Sequence, residues 1–418
     1  MPIISQTGRK MSDHWFPVPS NNACLLKWSW SSLYLWTGTS SSCHRVQNVK
    51  VHDIEQFHNT PEVIEDRRRM LAGQWPGRGC ESCRDQEQYS GFSDRKKWLS
   101  SENNKKYVPM ELYQNPTQLV TNPTMVEIYF NNKCNLKCLY CGPFLSSAWQ
   151  LEEQQFSNIQ YKEQNNALYN QNLTGFYRWM ENNYAKVKEF HILGGEPFIQ
   201  KETFDCIDWM LEHPNMDLDF EIFSNMQIKP ELFKRNMEKI KQLTKVTNSV
   251  EITASIDCWG PEAEYIRTGL DLVVFKENME YLIYECPEVI PTMNWTVSSL
   301  SIPTTAELVE QVIHWNKTKP NPEQRIAVNY NKCIEPELMD PHIMPPGTFA
   351  KEFSNLIELN KEMIDNDLYR EYVKSIFTEI DSSPSKPDKI TELKKFLDKM
   401  DSRRGTNWHI MFPWLDGI

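Results

Sequence analysis

The sequence predicts an α/β fold: a partial (β/α)6 TIM-like barrel, preceded by a small cysteine-rich domain and followed by a C-terminal helical extension. Three observations carry this. From about residue 124 onward, β-rich runs alternate with segments of helical period, the pattern of a parallel sheet. The first hundred residues form only short, broken runs, and four of the eleven cysteines fall there. Beyond Asn331 the chain passes through Pro336, Pro341, Pro345 and Pro346 into charged segments of helical period.

At 418 residues the chain exceeds what one small core needs, so a large domain with smaller companions is expected. Hydrophobic residues at 40% and charged residues at 24% exclude global disorder. Lys and Arg total 45 against 56 Asp and Glu, a net charge of −11 that repels phosphate backbones and anionic lipid. Nucleic acid is therefore not expected as the main partner. The opening stretch Met1–Trp15 has no apolar run of the leader type, and nowhere do 18 apolar residues follow one another, so neither a secretory signal nor a membrane span is expected. A cytoplasmic location follows, where cysteines serve as thiols and metal ligands more readily than as disulfides.

Residues 1–104 read as the N-terminal domain. Cys24–Trp36 alternates apolar and polar residues like a hairpin turning at Gly38, and Glu62–Leu71 reads as a basic helix. Too little apolar surface is present to fold without a staple. Residues 105–335 carry the sheet, with strands expected at Met125–Phe130, Val187–Leu193, Leu218–Phe223, Val250–Ile256, Thr292–Ser298 and Arg325–Asn331. Helices are expected between them at Lys201–Leu211, Glu231–Leu243, Leu272–Tyr284 and Thr305–Trp315. The connection between Cys141 and the second strand is rich in Asn and Gln and reads as a solvated insertion carrying a helix. Residues 336–418 form the extension, with helices over roughly 348–402. In such sheets chemistry collects at the carboxyl ends of the strands.

There the first strand is followed by Asn131-Asn132-Lys133-Cys134-Asn135-Leu136-Lys137-Cys138-Leu139-Tyr140-Cys141. Three thiolates on one loop can hold a [4Fe–4S] cluster and leave one iron open to an external ligand. Two other readings stand beside this. The cysteines fall at i, i+4 and i+7, one face of a helix, or they belong to a zinc site, for which no fourth ligand follows locally.

Cys134, Cys138 and Cys141 after a first strand resemble the signature of the radical S-adenosylmethionine superfamily. The second strand ends in Gly194-Gly195-Glu196-Pro197, which resembles that superfamily's glycine-glycine-glutamate-proline segment. Glycines there let backbone carbonyls and amides approach a ligand closely. The resemblance implies S-adenosylmethionine and a [4Fe–4S] cluster as cofactors. It implies cofactor contacts from Tyr140, Gly194, Gly195, Glu196 and Pro197, from Ser224 and Asn225 after the third strand, and from Ser255 and Asp257 with the fourth. Arg267 is implied as a partner for the cofactor carboxylate or the substrate, with a surface ion pair as its ordinary alternative. No catalytic side chain is assigned.

A second constellation lies in the N-terminal domain: Cys24, Cys43, and the Cys80-x2-Cys83 pair. It resembles the twitch domain, a shortened relative of the SPASM domain that holds an auxiliary iron–sulfur cluster, here placed ahead of the barrel. A four-cysteine zinc site is the competing reading. His44 reads as structural, and Cys206, Cys258, Cys286 and Cys333 as core thiols.

The resemblance implies an oxidoreductase-type or peptide-modifying enzyme. It cleaves S-adenosylmethionine reductively and removes hydrogen from a substrate: a peptide side chain, or alternatively a sugar, alcohol or nucleotide. A non-enzymatic zinc or iron–sulfur protein with a degenerate barrel is the reading from another class. Arg67, Arg68, Arg69, Arg84, Lys96 and Lys97 read either as a docking face for a flavodoxin- or ferredoxin-type reductant or as a solvated helix face.

Overall fold

Strict alternation along the core strands sets the architecture. Val126, Ile128, Phe190, Ile192, Phe220, Ile222, Val250 and Ile252 point to one side of a sheet, and Glu127, His191, Glu221 and Glu251 to the other. The first set must be covered, and helices cover it. Full burial of each such side chain contributes about 1.5–3 kcal/mol. The computed structural model describes residues 20–90, 93–157, 159–161, 165–322, 324–364 and 367–418, and the opening stretch read above for a leader lies outside them.

Eleven strands are present among the described residues: β1 (Trp30–Tyr34), β2 (Thr39–Ser41), β3 (Val49–Lys50), β4 (Met125–Tyr129), β5 (Lys137–Cys138), β6 (Glu189–Leu193), β7 (Asn215–Ser224), β8 (Thr247–Ser255), β9 (Arg267–Thr268), β10 (Ile290–Val297) and β11 (Ala327–Lys332). Nine form one sheet in the order β11-β10-β8-β7-β6-β4-β1-β2-β3, and β5 pairs with β9. The six expected strands are β4, β6, β7, β8, β10 and β11, all parallel to their neighbours. No hydrogen-bonded pair among the described residues joins the two ends of the order, so the sheet is open.

Two expectations need correction. The hairpin expected over Cys24–Trp36 begins later: Leu26–Ser29 is helical, and the strand that follows, β1, lies parallel to β4 through Trp30↔Met125 to Tyr34↔Tyr129. The N-terminal segment thus lends a seventh parallel strand to the sheet rather than keeping its hairpin to itself. The reason is edge burial. β4 would otherwise present unpaired amides and carbonyls. The Asn- and Gln-rich connection is likewise not a solvated insertion. Its helix Asn166–Asn183 buries Tyr169, Phe176, Trp179 and Met180 and is the crossover between β4 and β6. The polar residues that suggested solvation occupy its outer face. The exception is Asn172, which is buried and donates to the Leu35 carbonyl at 2.8 Å.

Helices Lys201–Glu212, Pro230–Leu243, Leu272–Glu285 and Thr305–Thr318 complete the repeat. Pro230 occupies the first turn of its helix, and the Asp271 carboxylate caps the next by accepting from Val273 and Val274 N–H. In the extension, Ala350–Met363 packs on Thr305–Thr318, and Phe353 stacks on Phe377 of Asp367–Ser382 at 4.8 Å. Pro387–Arg404 ends at Gly405 in the left-handed conformation with Arg403 and Arg404 in its last turn. Among the described residues no helix is long and apolar enough to cross a membrane.

The extension is tied to the sheet edge by ions. His342 hydrogen-bonds Asp340 and lies 3.5 Å from Glu379, which also holds Lys332 of β11 at 3.0 Å. Burial works against the imidazolium, but the two carboxylates prevail and raise it to about 9. A folded pKa above the unfolded value near 6.5 gives stability that is complete below about pH 6.5 and is lost as pH rises through 9. The expected outcome is a melting temperature that falls between those limits more steeply in the native protein than in His342→Gln, measured by calorimetry. Parallel curves would contradict the linkage.

Candidate functional site

The loop after β4 is held in shape by the start of helix Ser147–Phe156. Ser146 Oγ caps that helix by accepting from Trp149 N–H at 3.2 Å and donates to the Leu136 carbonyl at 2.7 Å. Ser147 Oγ accepts from Cys134 N–H at 3.1 Å, and Trp149 Nε1 donates to the Cys138 carbonyl at 2.7 Å. On its other side the loop becomes β5, paired with β9 through Cys138↔Arg267. Cys134, Cys138 and Cys141 are thereby fixed at the carboxyl end of the sheet.

The turn after β6 presses against the same loop. A side chain at Gly195 (φ 56°) would put its Cβ 2.2 Å from the Lys133 carbonyl oxygen. That carbonyl also accepts from Glu196 N–H at 2.8 Å. Gln200, which no motif singles out, is buried and donates through Nε2 to the Gly194 carbonyl at 2.7 Å and to Lys133 O at 3.3 Å. Its Oε1 is buried without a partner among the described residues.

Glu196 is 1% exposed and joins this turn to the next. Its Oε2 accepts from Asn225 N–H at 2.7 Å, and its Oε1 from Ser224 Oγ at 2.9 Å and Phe198 N–H at 3.1 Å. Burial nonetheless pushes the carboxyl up to about 7 against those three donors. Pro197 begins the short 3-10 turn that Glu196 caps. Asn225 Nδ2 donates to Asn135 Oδ1 at 3.0 Å and lies 3.9 Å from Cys134 Sγ. Cys134, Gly194, Gly195, Glu196, Pro197, Ser224 and Asn225 are therefore one hydrogen-bonded constellation.

Asp257, Arg267 and Tyr140 form another. Arg267 meets Asp257 through two bonds of 2.9 and 2.8 Å, and Tyr140 OH donates to Asp257 Oδ2 at 2.8 Å. Asp257 is fully buried and also accepts from Thr296 N–H at 3.2 Å. The carboxylate facing Arg267 is thus the chain's own, and the pair is buried rather than on the surface. Ser255 ends β8 opposite Asn294 of β10.

The three thiols sense one another. Burial raises Cys134 to about 11, with contributions from Glu196 and Cys141, and raises Cys138 and Cys141 as well. Cys134 Sγ lies 3.5 Å from Leu136 N–H, a donor of the kind that stabilises a thiolate. Among the described residues no group of three or more His, Cys, Asp or Glu is gathered tightly enough to hold a single metal ion. Three cysteines on one loop, with Leu136 N–H and Asn225 Nδ2 near Cys134 Sγ, supply the thiolate and N–H donor chemistry that an iron–sulfur cluster uses.

Cys24, Cys43 and Cys80 line a second, separate hydrophobic cluster or its border, built on Leu25, Trp28, Val46, Met70, Leu99 and Leu112, and the half-buried Cys83 lies close enough to act on all three electrostatically. Each of Cys24, Cys43 and Cys80 is raised by burial and by the other thiols of the group, Cys80 to about 11. Gly79 makes the approach possible: a Cβ there would fall 1.8 Å from the Arg45 carbonyl oxygen, beside Cys43. Lys27, Arg45 and Arg95 bring positive charge to these thiols. Ser42 Oγ, next to Cys43, is buried with no hydrogen-bond partner among the described residues. Four thiols, surrounding cations and a spare donor fit an anionic cluster. His44 packs edge-on against Trp30 at 5.0 Å and stands 3.7 Å from Glu127. Cys206, Cys258, Cys286 and Cys333 are all buried. Of the basic residues read as a docking face, Arg67 is fully buried and bonds the Lys27, His58 and Leu119 carbonyls, so it belongs to the N-terminal core.

The polar face of the sheet was also missed. Ser32, Glu127, His191, Glu221 and Glu251 stand in one row across neighbouring strands. His191 lies 2.9 Å from Glu189 and 3.1 Å from Glu221, and these carboxylates raise it well above its ordinary value despite burial. A cavity of about 420 Å³ lined by Tyr107, Glu189, His191, Asp219, Glu221 and Glu251 opens below the row, toward the strand ends remote from the cysteine loop. The signal was present in the alternation Glu189-Phe-His-Ile and Asp219-Phe-Glu-Ile.

No protein-family model matches the chain, and no curated protein matches it. Among solved structures, the chain is similar to the crystal structure of Streptococcus suis SuiB bound to precursor peptide SuiA, at 16% identity and TM-score 0.38, covering 81% of this chain and 68% of that one. It is also similar to the structure of TYW1 with a lysine-pyruvate adduct bound, at 13% identity and TM-score 0.31, covering 55% of this chain and 70% of that one. Both likenesses are remote, and the functional reading rests on this chain's own residues.

Replacing Glu196 by Ala orphans Asn225 N–H, Phe198 N–H and Ser224 Oγ, each buried. With a cost of about 1–3 kcal/mol for an unsatisfied buried donor, a loss of at least about 2 kcal/mol in urea unfolding is expected. A change under about 0.5 kcal/mol would contradict the bracing role.

Proposed function

We propose that this chain is a radical S-adenosylmethionine enzyme, with one cofactor-binding iron–sulfur cluster on Cys134, Cys138 and Cys141 and an auxiliary cluster on Cys24, Cys43, Cys80 and Cys83. The observation that carries the reading is the contact between the three-thiol loop and the Gly194–Pro197 turn, made through the Lys133 carbonyl and the Asn225 amide. When bound, a cluster on three cysteines and S-adenosylmethionine together supply one-electron cleavage of the sulfonium to methionine and a 5′-deoxyadenosyl radical that takes hydrogen from substrate.

The chain's own part is to hold and shield. Gly194 and Gly195 offer backbone to the methionine end of the cofactor, and Glu196 keeps that turn and the Ser224–Asn225 turn in register. Ser224, Asn225 and Ser255 are the polar residues we assign to the remaining cofactor contacts, and Asp257, enclosed by its own partners, orders the strand ends beside them. Arg267 and Tyr140 act through Asp257, fixing its carboxylate. Tyr34, Trp36 and the half-exposed Phe144 make an aromatic wall just past Cys141, with ring centroids 5.3–5.7 Å apart. Such a wall suits a peptide side chain, the substrate class we put forward, and excludes water from a reactive site. Electrons would come from a flavodoxin- or ferredoxin-type donor in a reducing compartment.

Alanine at Cys134, Cys138 or Cys141 is expected to abolish formation of 5′-deoxyadenosine, measured by mass spectrometry after anaerobic incubation with dithionite. Undiminished formation in all three variants would refute the assignment. Paired alanines at Cys80 and Cys83 are expected to remove about half the iron, since two clusters of about four irons each are proposed, while cofactor cleavage persists. Stoichiometric zinc in that site would overturn the auxiliary cluster.

A further inference from the structure

The last turn of helix Pro387–Arg404 reaches back to the cysteine loop from more than 250 residues away. The Arg404 side chain is 3% exposed and grips the Glu152 side chain, 4% exposed, through Nη2–Oε1 at 3.0 Å and Nε–Oε2 at 3.2 Å. Its Nη1 donates to Thr268 Oγ1 of β9 at 2.9 Å, and its guanidinium lies over the Trp149 ring at 4.8 Å. Each of these partners touches the loop. Glu152 holds Lys137, the residue before Cys138, at 2.5 Å. Trp149 donates to the Cys138 carbonyl at 2.7 Å. Thr268 pairs with Lys137 in the β5–β9 ladder.

The neighbouring Arg403 is different. It bonds Glu153 at 2.6 Å and covers Phe156 at 5.3 Å, further along the same helix and away from the cysteines. Both arginines fasten the extension, but only Arg404 is joined to groups that fix Cys138.

We propose that Arg404 and Glu152 are positioning residues for the cysteine loop, so that the C-terminal extension holds Cys138 in the geometry its site requires. Arg404 does this from three sides: the carboxylate that anchors Lys137, the indole that anchors the Cys138 carbonyl, and the hydroxyl of the strand paired with both. A lysine cannot reproduce the fork and the stacking together. The proposal rests on reading Cys134, Cys138 and Cys141 as cluster ligands. The restraint on Cys138 belongs to the polypeptide itself and is measurable without any cluster.

The test compares Arg404→Met, Arg404→Lys, Glu152→Gln and, as the control, Arg403→Met, all in the full chain. In metal-free protein the rate of Cys138 alkylation by iodoacetamide, followed by peptide mass spectrometry, is expected to rise about tenfold or more in Arg404→Met. That is what about 1.4 kcal/mol of lost local restraint gives when labelling proceeds through opening. Glu152→Gln should give a smaller rise, and Arg403→Met should match the native rate at equal or greater loss of melting temperature. In reconstituted protein, Arg404→Met should lose the change in the reduced cluster's paramagnetic resonance on adding S-adenosylmethionine, while iron on the N-terminal cysteines remains. Unchanged alkylation in Arg404→Met and Glu152→Gln overturns the proposal, as does an equal rise in Arg403→Met. Should Arg404→Met fail to fold, Glu152→Gln and Arg404→Lys decide the same question. A native protein lacking the resonance change overturns the cluster reading, and the alkylation series then stands or falls by itself.

Discussion

The site depends on one buried carboxylate. Glu196 accepts from two backbone amides and a hydroxyl while its own N–H is given to the Lys133 carbonyl, so one residue ties together the loops after β4, β6 and β7. Low dielectric makes those bonds strong and makes their loss expensive, because no water can take the place of a missing partner. At 1% exposure Glu196 meets almost no solvent, and that burial raises its carboxyl to about 7. The two glycines before it follow from close packing: a Cβ at Gly195 would strike the Lys133 carbonyl, and one at Gly194 would strike the Tyr129 side chain.

Around that junction the chain adds bracing from both ends. β1 pairs with β4 and removes the exposed edge of the strand that launches the cysteine loop, while Arg404 packs on the helix that follows the loop. Cys24, Cys43 and Cys80 sit in or against a separate small core, joined to the sheet through β1 and near Lys27, Arg45 and Arg95. Among the described residues that small core holds eight buried apolar or thiol side chains, which supply little burial energy. A cluster joining four cysteines there would act as a structural staple as well as a redox group.

Much of this was legible in the residues. The strands at Met125, Val187, Leu218, Val250 and Thr292 were readable because β-branched and aromatic runs are bounded by turn residues, and the carboxyl ends of the first two carry the cysteines and Gly194–Pro197. What escaped was long-range pairing. Nothing local in Trp30–Tyr34 says that its partner is Met125–Tyr129 and that it lies parallel. Polarity misled at Asn166–Asn183, where Asn and Gln lie on the outer face of a helix whose Tyr169, Phe176 and Trp179 reach the core. Arg67 looked like part of a basic surface because a run of three arginines does not reveal that the first faces inward. Gln200 and Arg404 could not be found at all, since their roles exist only once distant carbonyls and carboxylates are brought beside them.

The central claim is that one iron, unclaimed by the polypeptide, receives S-adenosylmethionine beside Gly194 and Gly195. Electron–nuclear double resonance on the reduced, anaerobically reconstituted protein tests it most directly, using cofactor labelled with nitrogen-15 at the amino group and carbon-13 at the carboxylate. The account predicts hyperfine coupling from both labels to the cluster, absent in Cys138→Ala. Reduced protein with an intact cluster signal and no coupling from either label would contradict it.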